Sequence, residues 1–286
     1  MDGFLLINKP IGWTSRDVCN KISHILHVKR CGHVGTLDPF ASGLLLVCVG
    51  NATKTINYID HSIKEYIATL TLGKKTTSLD ITGEIIETKE IPNLTISDIE
   101  KVLKSFVGKI KQQVPYTSAM HVNGRKLYSL YYQGIEVERP FKEVEVNDIS
   151  LISYENNNIT FKVTVSKGTY IRVLGESIAE KLGTVGFLSS LQRTKISDFD
   201  LSQAINVSEV SEEKIIPIDV IMEKFVYKIA VDSIMAKKIK DGMTLKFENV
   251  KTDIIYFSDS NNEPIAIYKR KHGDYFSCAR GIWKYE

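Results

Sequence analysis

Residues 32–49 read GHVGTLDPFASGLLLVCV and combine two unlike halves. The first half contains glycines, a proline and a single carboxylate, Asp38, and this composition is typical of a loop. The second half, LLLVCV at residues 44–49, is continuously apolar and predicts a fully buried strand. Asp38 therefore has two interpretations at this point: a side chain that caps its own turn, or a reactive group presented by the loop.

The segments before and after this stretch alternate between extended and helical patterns. Residues 3–8, GFLLIN, predict a short strand, and Thr14 or Ser15 then caps a helix whose apolar residues follow the 3.6-residue period. Residues 66–72, YIATLTL, alternate as a strand does. Ser97 and Glu100 predict a capping box ahead of a further helix.

Further along, residues 149–154 and 159–166 flank ENNN and predict a β-hairpin. Gly168 leads into a helix that Gly183 ends. Hairpins and helices without regular βαβ alternation predict the α+β class with a largely antiparallel sheet.

The pattern changes near residues 217–226. Beyond it, KIKDG, IIYFSDSNNEPIAIYKRK and YFSCARGIW predict short strands and turns. We therefore expect a large domain at 1–225 and a small β-rich domain at 226–286.

Composition limits the possible classes. The chain has 286 residues, of which 43% are hydrophobic and 25% charged, as in ordinary globular proteins. No apolar run is long enough to span a bilayer, and the N-terminus lacks the features of a signal peptide, so we expect a cytoplasmic protein. The four cysteines have no CxxC spacing and are expected to be buried thiols: Cys19, Cys31, Cys48 and Cys278.

Net charge is only +3, but residues 101–140 hold seven Lys or Arg against two acids, a local excess of +5. This stretch fits a polyanion-binding surface and a solvated helix face equally well.

Common catalytic signatures are missing. Neither GxxxxGK[ST], GxGxxG nor GxSxG occurs. Five potential zinc ligands lie within fifteen residues, but three of them fall on the predicted helix and the paired-clip spacing is absent, which disfavours a metal site: Cys19, His24, His27, Cys31 and His33.

Asp38 would act as a nucleophile only if it stays ionised close to an electrophilic carbon. Arg is the best cation for that task, and SKGTYIR places Arg172 in the first turn of a predicted helix beside Tyr170. Tyr66 on its strand could stack on a planar substrate or move a proton. From spacing alone, each tyrosine fits an ordinary core or surface position better.

Six segments in order resemble the TruB-type tRNA pseudouridine-55 synthases of bacteria over residues 1–200. They are GFLLINKPIGWTS, GHVGTLDPFASGLLLVCVGNATK, KEYIATLTLGKKTTSLDITGE, VPYTSAMHVNGRKLYSLYYQGIEV, SKGTYIRVLGESIAEKLG and LSSLQRTKI. The resemblance implies the pseudouridine-synthase fold, a mixed and largely antiparallel sheet flanked by helices. It also implies a cofactor-free isomerase that detaches the uracil of uridine 55 in the T loop, turns it and rejoins it through C5.

The resemblance assigns roles position by position. Asp38 of GTLDP is the nucleophile, on the sugar C1′ or on the base, Tyr66 of KEYIA covers the target base, and Arg172 of GTYIR pairs with Asp38. The resemblance further implies a set of substrate-binding residues: His33 near the vacated base position, Tyr170 and Leu191 at the uracil pocket, Lys9 in its support, and Lys54.

The implied partner is tRNA, bound through its T arm by a monomer that contacts no membrane. An RNA-clasping insertion at about residues 112–137 would place Arg125 and Lys126 on phosphates. The 226–286 domain would be a PUA-like RNA-binding module, with the KRK run at Lys269–Lys271 as its basic candidate. A solvated hairpin explains that run equally well.

One departure from the family is visible. The family often has an acid where this chain has Thr77, so Asp80 is the acid of TTSLD.

Two other interpretations remain: a non-catalytic protein that binds and refolds tRNA, with Asp38 structural, and a zinc-dependent base hydrolase that uses the His/Cys cluster.

Overall fold

The computed structural model describes residues 1–59, 63–116, 118, 120–122, 124–131, 133–135 and 137–283. The chain divides into two compact units. The first comprises Met1–Asp38, Leu44–Ser62 and Leu201–Glu286, and the second comprises Pro39–Gly43 and Ile63–Asp200. In the described part of the chain, no helix is both long and apolar enough to cross a membrane.

The helices are α1 (Ser15–Ile25), α2 (Ile56–Ile59), α3 (Ile96–Lys104), α4 (Leu127–Tyr131), α5 (Ile171–Lys181), α6 (Ile218–Met222) and α7 (Ser233–Lys240). The strands are β1 (Gly3–Lys9), β2 (Cys31–Val34), β3 (Ser42–Val49), β4 (Lys64–Leu72), β5 (Lys74–Thr76), β6 (Ile85–Thr88), β7 (Gly108–Gln113), β8 (His121–Val122), β9 (Arg125–Lys126), β10 (Phe141–Glu155), β11 (Asn158–Val165), β12 (Gly186–Ile196), β13 (Phe199–Asp200), β14 (Ile205–Asn206), β15 (Tyr227–Val231), β16 (Leu245–Lys246), β17 (Ile254–Asp259), β18 (Pro264–His272) and β19 (Tyr275–Gly281).

In the first unit, β1 lies between β14 and β3, and β2 pairs antiparallel with β3. Residues 44–49 are fully buried, which confirms the strand predicted from LLLVCV. Helix α1 begins after Thr14, which forms a capping box with Asp17. The helix packs Val18 and Ile22 against the apolar side chains of β1 and β3.

In the second unit, the antiparallel order is β12, β4, β11, β10, β7, and the first residues of β3 pair in parallel with β12. The hairpin around ENNN is confirmed: β10 and β11 join through Asn156 and Asn157, both at positive φ, as a two-residue turn requires. Helix α5 buries Leu174 and Ile178. The predicted α+β class with a mixed, largely antiparallel sheet is confirmed.

Strands β15 to β19 form a separate five-stranded sheet in the order β15, β17, β18, β19, β16, which is consistent with a PUA-like domain. Helix α7, capped by Asp232, buries Ile239 against this sheet. The prediction of strands and turns is wrong for KIKDG, because its first three residues, 238–240, end α7 and Gly242 turns the chain at positive φ. The boundary at residue 226 stays a prediction.

The capping box of α3 is formed by other residues than predicted. The Thr95 side chain accepts from the Asp98 backbone N–H, and the Asp98 carboxylate accepts from the Thr95 N–H. Both Thr95-x-x-Asp98 and Ser97-x-x-Glu100 fit the pattern. The box that begins at Thr95 gives a helix that is longer by two residues at its start. This helix still buries Ile99 and Leu103.

Gly43 must be glycine for two reasons. Its φ is +101°, and an added Cβ would lie 2.3 Å from the Arg193 carbonyl oxygen and 2.8 Å from the Arg193 nitrogen on β12. We expect Gly43→Ala to lower the free energy of unfolding by at least about 3 kcal/mol, because left-handed strain adds to a backbone clash. Urea unfolding measures the loss.

Gly12 supplies the matched control. It has a φ of +84°, but no described atom lies within 4 Å of the position that an added methyl group would take. Gly12→Ala should therefore show the conformational strain alone, about 1–2 kcal/mol. Equal losses for the two variants would contradict the close approach of Gly43 to β12.

Candidate active site

The loop that carries Asp38 is hydrogen-bonded to α1 through Leu37, the residue before Asp38. β2 and β3 form a hairpin, and the chain between them contains the half-buried Asp38. The Ser15 hydroxyl, in the first turn of α1, accepts from the Leu37 N–H at 2.9 Å and donates to the Leu37 carbonyl at 3.1 Å. Because Ser15 is buried, the backbone next to Asp38 is fixed before any ligand binds.

His33 lies on β2 and has a contact at each ring nitrogen. Its Nδ1 is 3.6 Å from the Cys19 sulfur on α1, and its Nε2 is 3.2 Å from the Thr36 hydroxyl. The imidazole is half-buried and its plane is set by two partners.

The two predicted lysines have different surroundings. Lys9 is fully buried, and its ammonium donates to the carbonyls of Pro10 and Trp13 at 2.8 and 2.6 Å, so it supports the turn before α1. Lys54 is half-buried near Arg30 and Arg280. Burial first, and then these two cations, lower the pKa of Lys54.

Tyr66 lies on β4 between two strands of the second unit. Its register neighbours are Val163 on β11 and Arg193 on β12, and its side chain is 7% exposed. Leu191 pairs with Ala68 on the same two strands and is also buried. The burial pattern places Tyr66, Leu191 and the fully buried Arg193 on one face.

Arg172 is buried in α5 and contacts the TTSLD segment. Its Nη1 donates to the Ser78 carbonyl at 2.9 Å and is 3.4 Å from an Asp80 carboxylate oxygen. The other Asp80 oxygen accepts from the Ser78 hydroxyl at 2.7 Å and from the Thr82 N–H at 3.0 Å. Asp80 is thus a buried carboxylate that is hydrogen-bonded within its own turn and lies beside Arg172, a partner that the sequence analysis did not assign.

Tyr170 fixes the start of the helix that carries Arg172. Its backbone N–H donates to the Gln112 amide oxygen at 2.9 Å, and the Gln112 amide donates back to the Tyr170 carbonyl at 3.2 Å. The Tyr170 hydroxyl is 2.6 Å from the Ser118 hydroxyl. Since Tyr170 caps α5 without a side-chain cap bond, Gln112 provides the anchor.

Arg125 and Lys126 form β9, which pairs with β8, and both are exposed. The Arg125 guanidinium donates to the Gln133 side chain. Part of the predicted insertion lies outside the described residues, at 117, 119, 123, 132 and 136.

The predicted residues therefore fall into two groups. The first unit holds Lys9, His33, Asp38 and Lys54, and the second holds Tyr66, Arg125, Lys126, Tyr170, Arg172 and Leu191. Sequence reasoning missed two neighbours of the predicted residues: Asp80, which contacts Arg172, and Arg193, which is paired with Tyr66 across two strands. Among the described residues, no group of three or more His, Cys, Asp or Glu side chains is arranged to hold a metal ion.

Two solved structures share the fold of this chain. A Cbf5–Nop10–Gar1 complex aligns with a TM-score of 0.75 and 23% identity, covering 98% of this chain and 85% of the other. An H/ACA ribonucleoprotein bound to a substrate RNA containing 2′-deoxyuridine aligns with a TM-score of 0.74 and 22% identity, covering 99% and 85%. These likenesses show a shared fold.

Sequence comparison gives the family. Residues 23–171 match the model of the TruB family pseudouridylate synthase N-terminal domain. A tRNA pseudouridine synthase B from Bacillus cereus is 41% identical, covering 94% of this chain and 92% of its own length. The Bacillus subtilis protein of that name is 42% identical, covering 86% and 84%. The chain belongs to the TruB family of pseudouridylate synthases.

Proposed function

We propose that this chain converts uridine 55 in the T loop of tRNA to pseudouridine without a cofactor. The observation that carries the proposal is the family match over residues 23–171, which contain both Asp38 and Tyr66. The names of the two Bacillus relatives support tRNA as the substrate. We further propose that the enzyme acts as a monomer in the cytoplasm.

Asp38 is the nucleophile in this proposal. A carboxylate forms a covalent intermediate when it is held close to an electrophilic carbon. The two hydrogen bonds between Ser15 and Leu37, next to Asp38, support such positioning. Attack at the sugar C1′ displaces the uracil from the ribose, whereas addition to the base weakens the glycosidic bond until it breaks. The uracil then turns and bonds to the ribose through C5, the bond to Asp38 breaks and releases the carboxylate, and the base loses the C5 proton.

The second unit supplies the residues for the base. Tyr66 and Leu191, buried on one sheet face, give an aromatic and an aliphatic surface for uracil, and Tyr170 adds a further wall. The Tyr66 hydroxyl takes part in removing the C5 proton. Arg172, buried and oriented by Ser78 and Asp80, keeps Asp38 ionised.

Reaching uridine 55 requires extrusion of the base from a folded loop, at a cost of about a few kcal/mol. His33, with its ring held at both nitrogens, fills the vacated position. Lys9 supports the turn before α1, and Lys54 is a cation for the RNA backbone.

A T-arm stem-loop tests the proposal directly. We expect the purified chain to form pseudouridine at position 55 both in this stem-loop and in a full tRNA transcript. A transcript with cytidine at position 55 serves as the control and should give no product. Product at other uridines, or none in either RNA, would contradict the proposed specificity.

Arg125 and Lys126 are proposed phosphate contacts of the clasp. We expect the double change Arg125→Ala with Lys126→Ala to weaken tRNA binding and to reduce the slope of log K against log salt by about 1.4 to 1.8, since each phosphate contact contributes about 0.7 to 0.9. Filter binding at several salt concentrations measures this slope.

The exposed pair Lys101 and Lys104 on α3 is the matched control, because its removal changes the net charge equally. Substituting both by alanine should leave the slope close to that of the parent. A slope equally reduced in both double variants would mean that general charge, and not the clasp, binds the RNA.

A further inference from the structure

A cavity of about 520 Å³ lies wholly within the first unit, and none of the residues that line it has a role in the isomerisation proposed above. It lies between the first turn of α6, the turn that joins β17 to β18, and the residues that follow β19. Sites for small organic molecules usually have volumes of about 300–1,000 Å³. The cavity is therefore large enough to hold such a ligand.

Asp219, in the first turn of α6, is the buried charged residue of this cavity. It is 6% exposed, and its Oδ2 accepts from the Lys228 ammonium on β15 at 2.6 Å. Its Oδ1 is buried and has no hydrogen-bond partner among the residues that the structure describes. Lys228 does not supply this bond, because its ammonium also donates to the Asn262 side chain at 2.9 Å.

A buried carboxylate oxygen normally accepts a hydrogen bond, and one that does not is unusual enough to indicate a donor from outside the chain. Two hydroxyl groups on β17 are in the same position. Tyr256 is the register neighbour of Lys228, and the hydroxyls of Tyr256 and Ser258 are buried without a partner in the described part of the chain. This part of the first unit thus holds more buried polar atoms than its described residues pair.

The charges around the cavity favour a cationic ligand. Two ammonium groups, those of Lys228 and Lys240, bind Asp219 or line the cavity. They face four lining carboxylates: Asp2, Asp219, Asp259 and Glu263. Because no such carboxylates among the described residues converge as a set of metal ligands, an organic cation fits this surplus of negative charge better than a metal ion does.

The remaining lining is largely apolar. Ile218, Ile265 and Ile282 are buried, and the half-buried Trp283 lies beside them in the lining. A hydrocarbon chain loses contact with water when it packs on such side chains, and an indole ring attracts a nearby cation. The lining therefore suits a ligand with a charged end and an aliphatic chain.

We propose that this cavity binds a primary aliphatic amine. The ammonium group donates to the Asp219 Oδ1, and the hydrocarbon chain packs against the isoleucines and Trp283. A primary ammonium carries three N–H donors and a full positive charge, so it supplies both the missing hydrogen bond and the missing charge. This binding does not depend on the proposed isomerisation.

Titration with putrescine (1,4-diaminobutane) tests the proposal without RNA. The full chain is studied in phosphate buffer, which contains no amine. Trp13→Phe leaves Trp283 as the only tryptophan, so the fluorescence of the protein then reports on the cavity. We expect a saturable change with putrescine and none with 1,4-butanediol, which has the same length and no charge. An equal response to the two compounds, or no saturable response to putrescine, would overturn the proposal.

Variants in the Trp13→Phe background locate the binding site. Asp219→Asn should weaken putrescine binding about 10- to 100-fold, the usual effect of losing a hydrogen bond to a charged group. Because this variant also removes the ion pair with Lys228, the exposed Glu263 provides a second test on a surface that should fold unchanged. Glu263→Gln should weaken binding about 2- to 5-fold.

Glu248→Gln is the matched control. Glu248 is exposed, pairs with Lys246 and does not line the cavity, so its loss changes the net charge equally and should leave the affinity unchanged. Equal weakening by Glu263→Gln and Glu248→Gln would overturn the proposal, as would an Asp219→Asn variant that binds putrescine as tightly as the parent.

Discussion

Replacing Asp38 by Asn should reduce pseudouridine formation by a factor on the order of 10⁴ or more, because loss of the nucleophile removes the covalent route altogether. Asn has the size of Asp and can still cap its own turn. The loop should therefore keep its structure, including the Ser15–Leu37 hydrogen bonds. Tritium release from tRNA labelled at uracil C5 measures the rate under single-turnover conditions.

Binding and folding distinguish this result from a structural defect. The Asn variant should unfold at the same urea concentration as the parent and should bind tRNA with nearly the same affinity. A variant that binds tRNA and retains a tenth or more of the parent rate would show that Asp38 is a turn residue. Loss of stability together with loss of binding would support the same structural interpretation.

Replacing Arg172 by Leu should affect both stability and rate. Arg172 and Asp80 are each about 4% exposed, so removal of the guanidinium leaves a buried carboxylate without its cation and should cost about 3–5 kcal/mol of unfolding free energy. The rate of the folded fraction should fall about 10²- to 10³-fold, as when a preorganised charged donor is removed. Urea unfolding and single-turnover assays measure the two effects.

The pH dependence of this variant is the more specific test. If Arg172 keeps Asp38 ionised, its loss makes ionisation harder, and the acid limb of the pH–rate profile moves to higher pH. Activity should therefore recover in part as the pH rises. A profile that keeps its position and only falls in height would contradict the proposed pairing.

The same helix offers a matched control. Lys75 and Glu176 form an ion pair at 2.6 Å whose side chains are 26% and 22% exposed, so solvent weakens their attraction. Lys75→Met should cost about 1 kcal/mol or less and leave the rate unchanged.

Asp80→Asn, by contrast, should lower the rate while Arg172 is still present, because the guanidinium loses a charged partner that orients it.

Local patterns predicted most of the fold. The apolar run of β3, the alternation of β4, the 3.6-residue period of α1 and the Asn-rich turn between β10 and β11 are all properties of neighbouring residues, and each was confirmed. The predicted α3 cap is wrong because two overlapping sequence patterns, Thr95-x-x-Asp98 and Ser97-x-x-Glu100, both satisfy the capping-box rule. The prediction for residues 238–240 is wrong because the N-cap that starts α7, Asp232, lies several residues before them.

The candidate site was less predictable because its contacts are not local. Asp80 and Arg172 are separated by more than ninety positions in the chain, and their contact follows from the position of α5 beside the TTSLD segment. Arg193 is cross-strand to Tyr66 only because of the β12–β4 register. Motif resemblance proposes site roles for Arg172 and Tyr66, but no spacing rule points to their neighbours Asp80 and Arg193.

The measurement that tests the central claim most directly is nucleotide-resolution mapping of pseudouridine on an unmodified tRNA transcript. The purified chain and its Asp38→Asn variant are incubated side by side with the transcript in chelator-treated buffer without added cofactor, and tRNA binding is measured on the same samples. We predict pseudouridine at position 55 alone with the parent chain, none with the variant, and equal binding by both. Tight binding by the parent without any pseudouridine, or equal product from both proteins, would contradict the account.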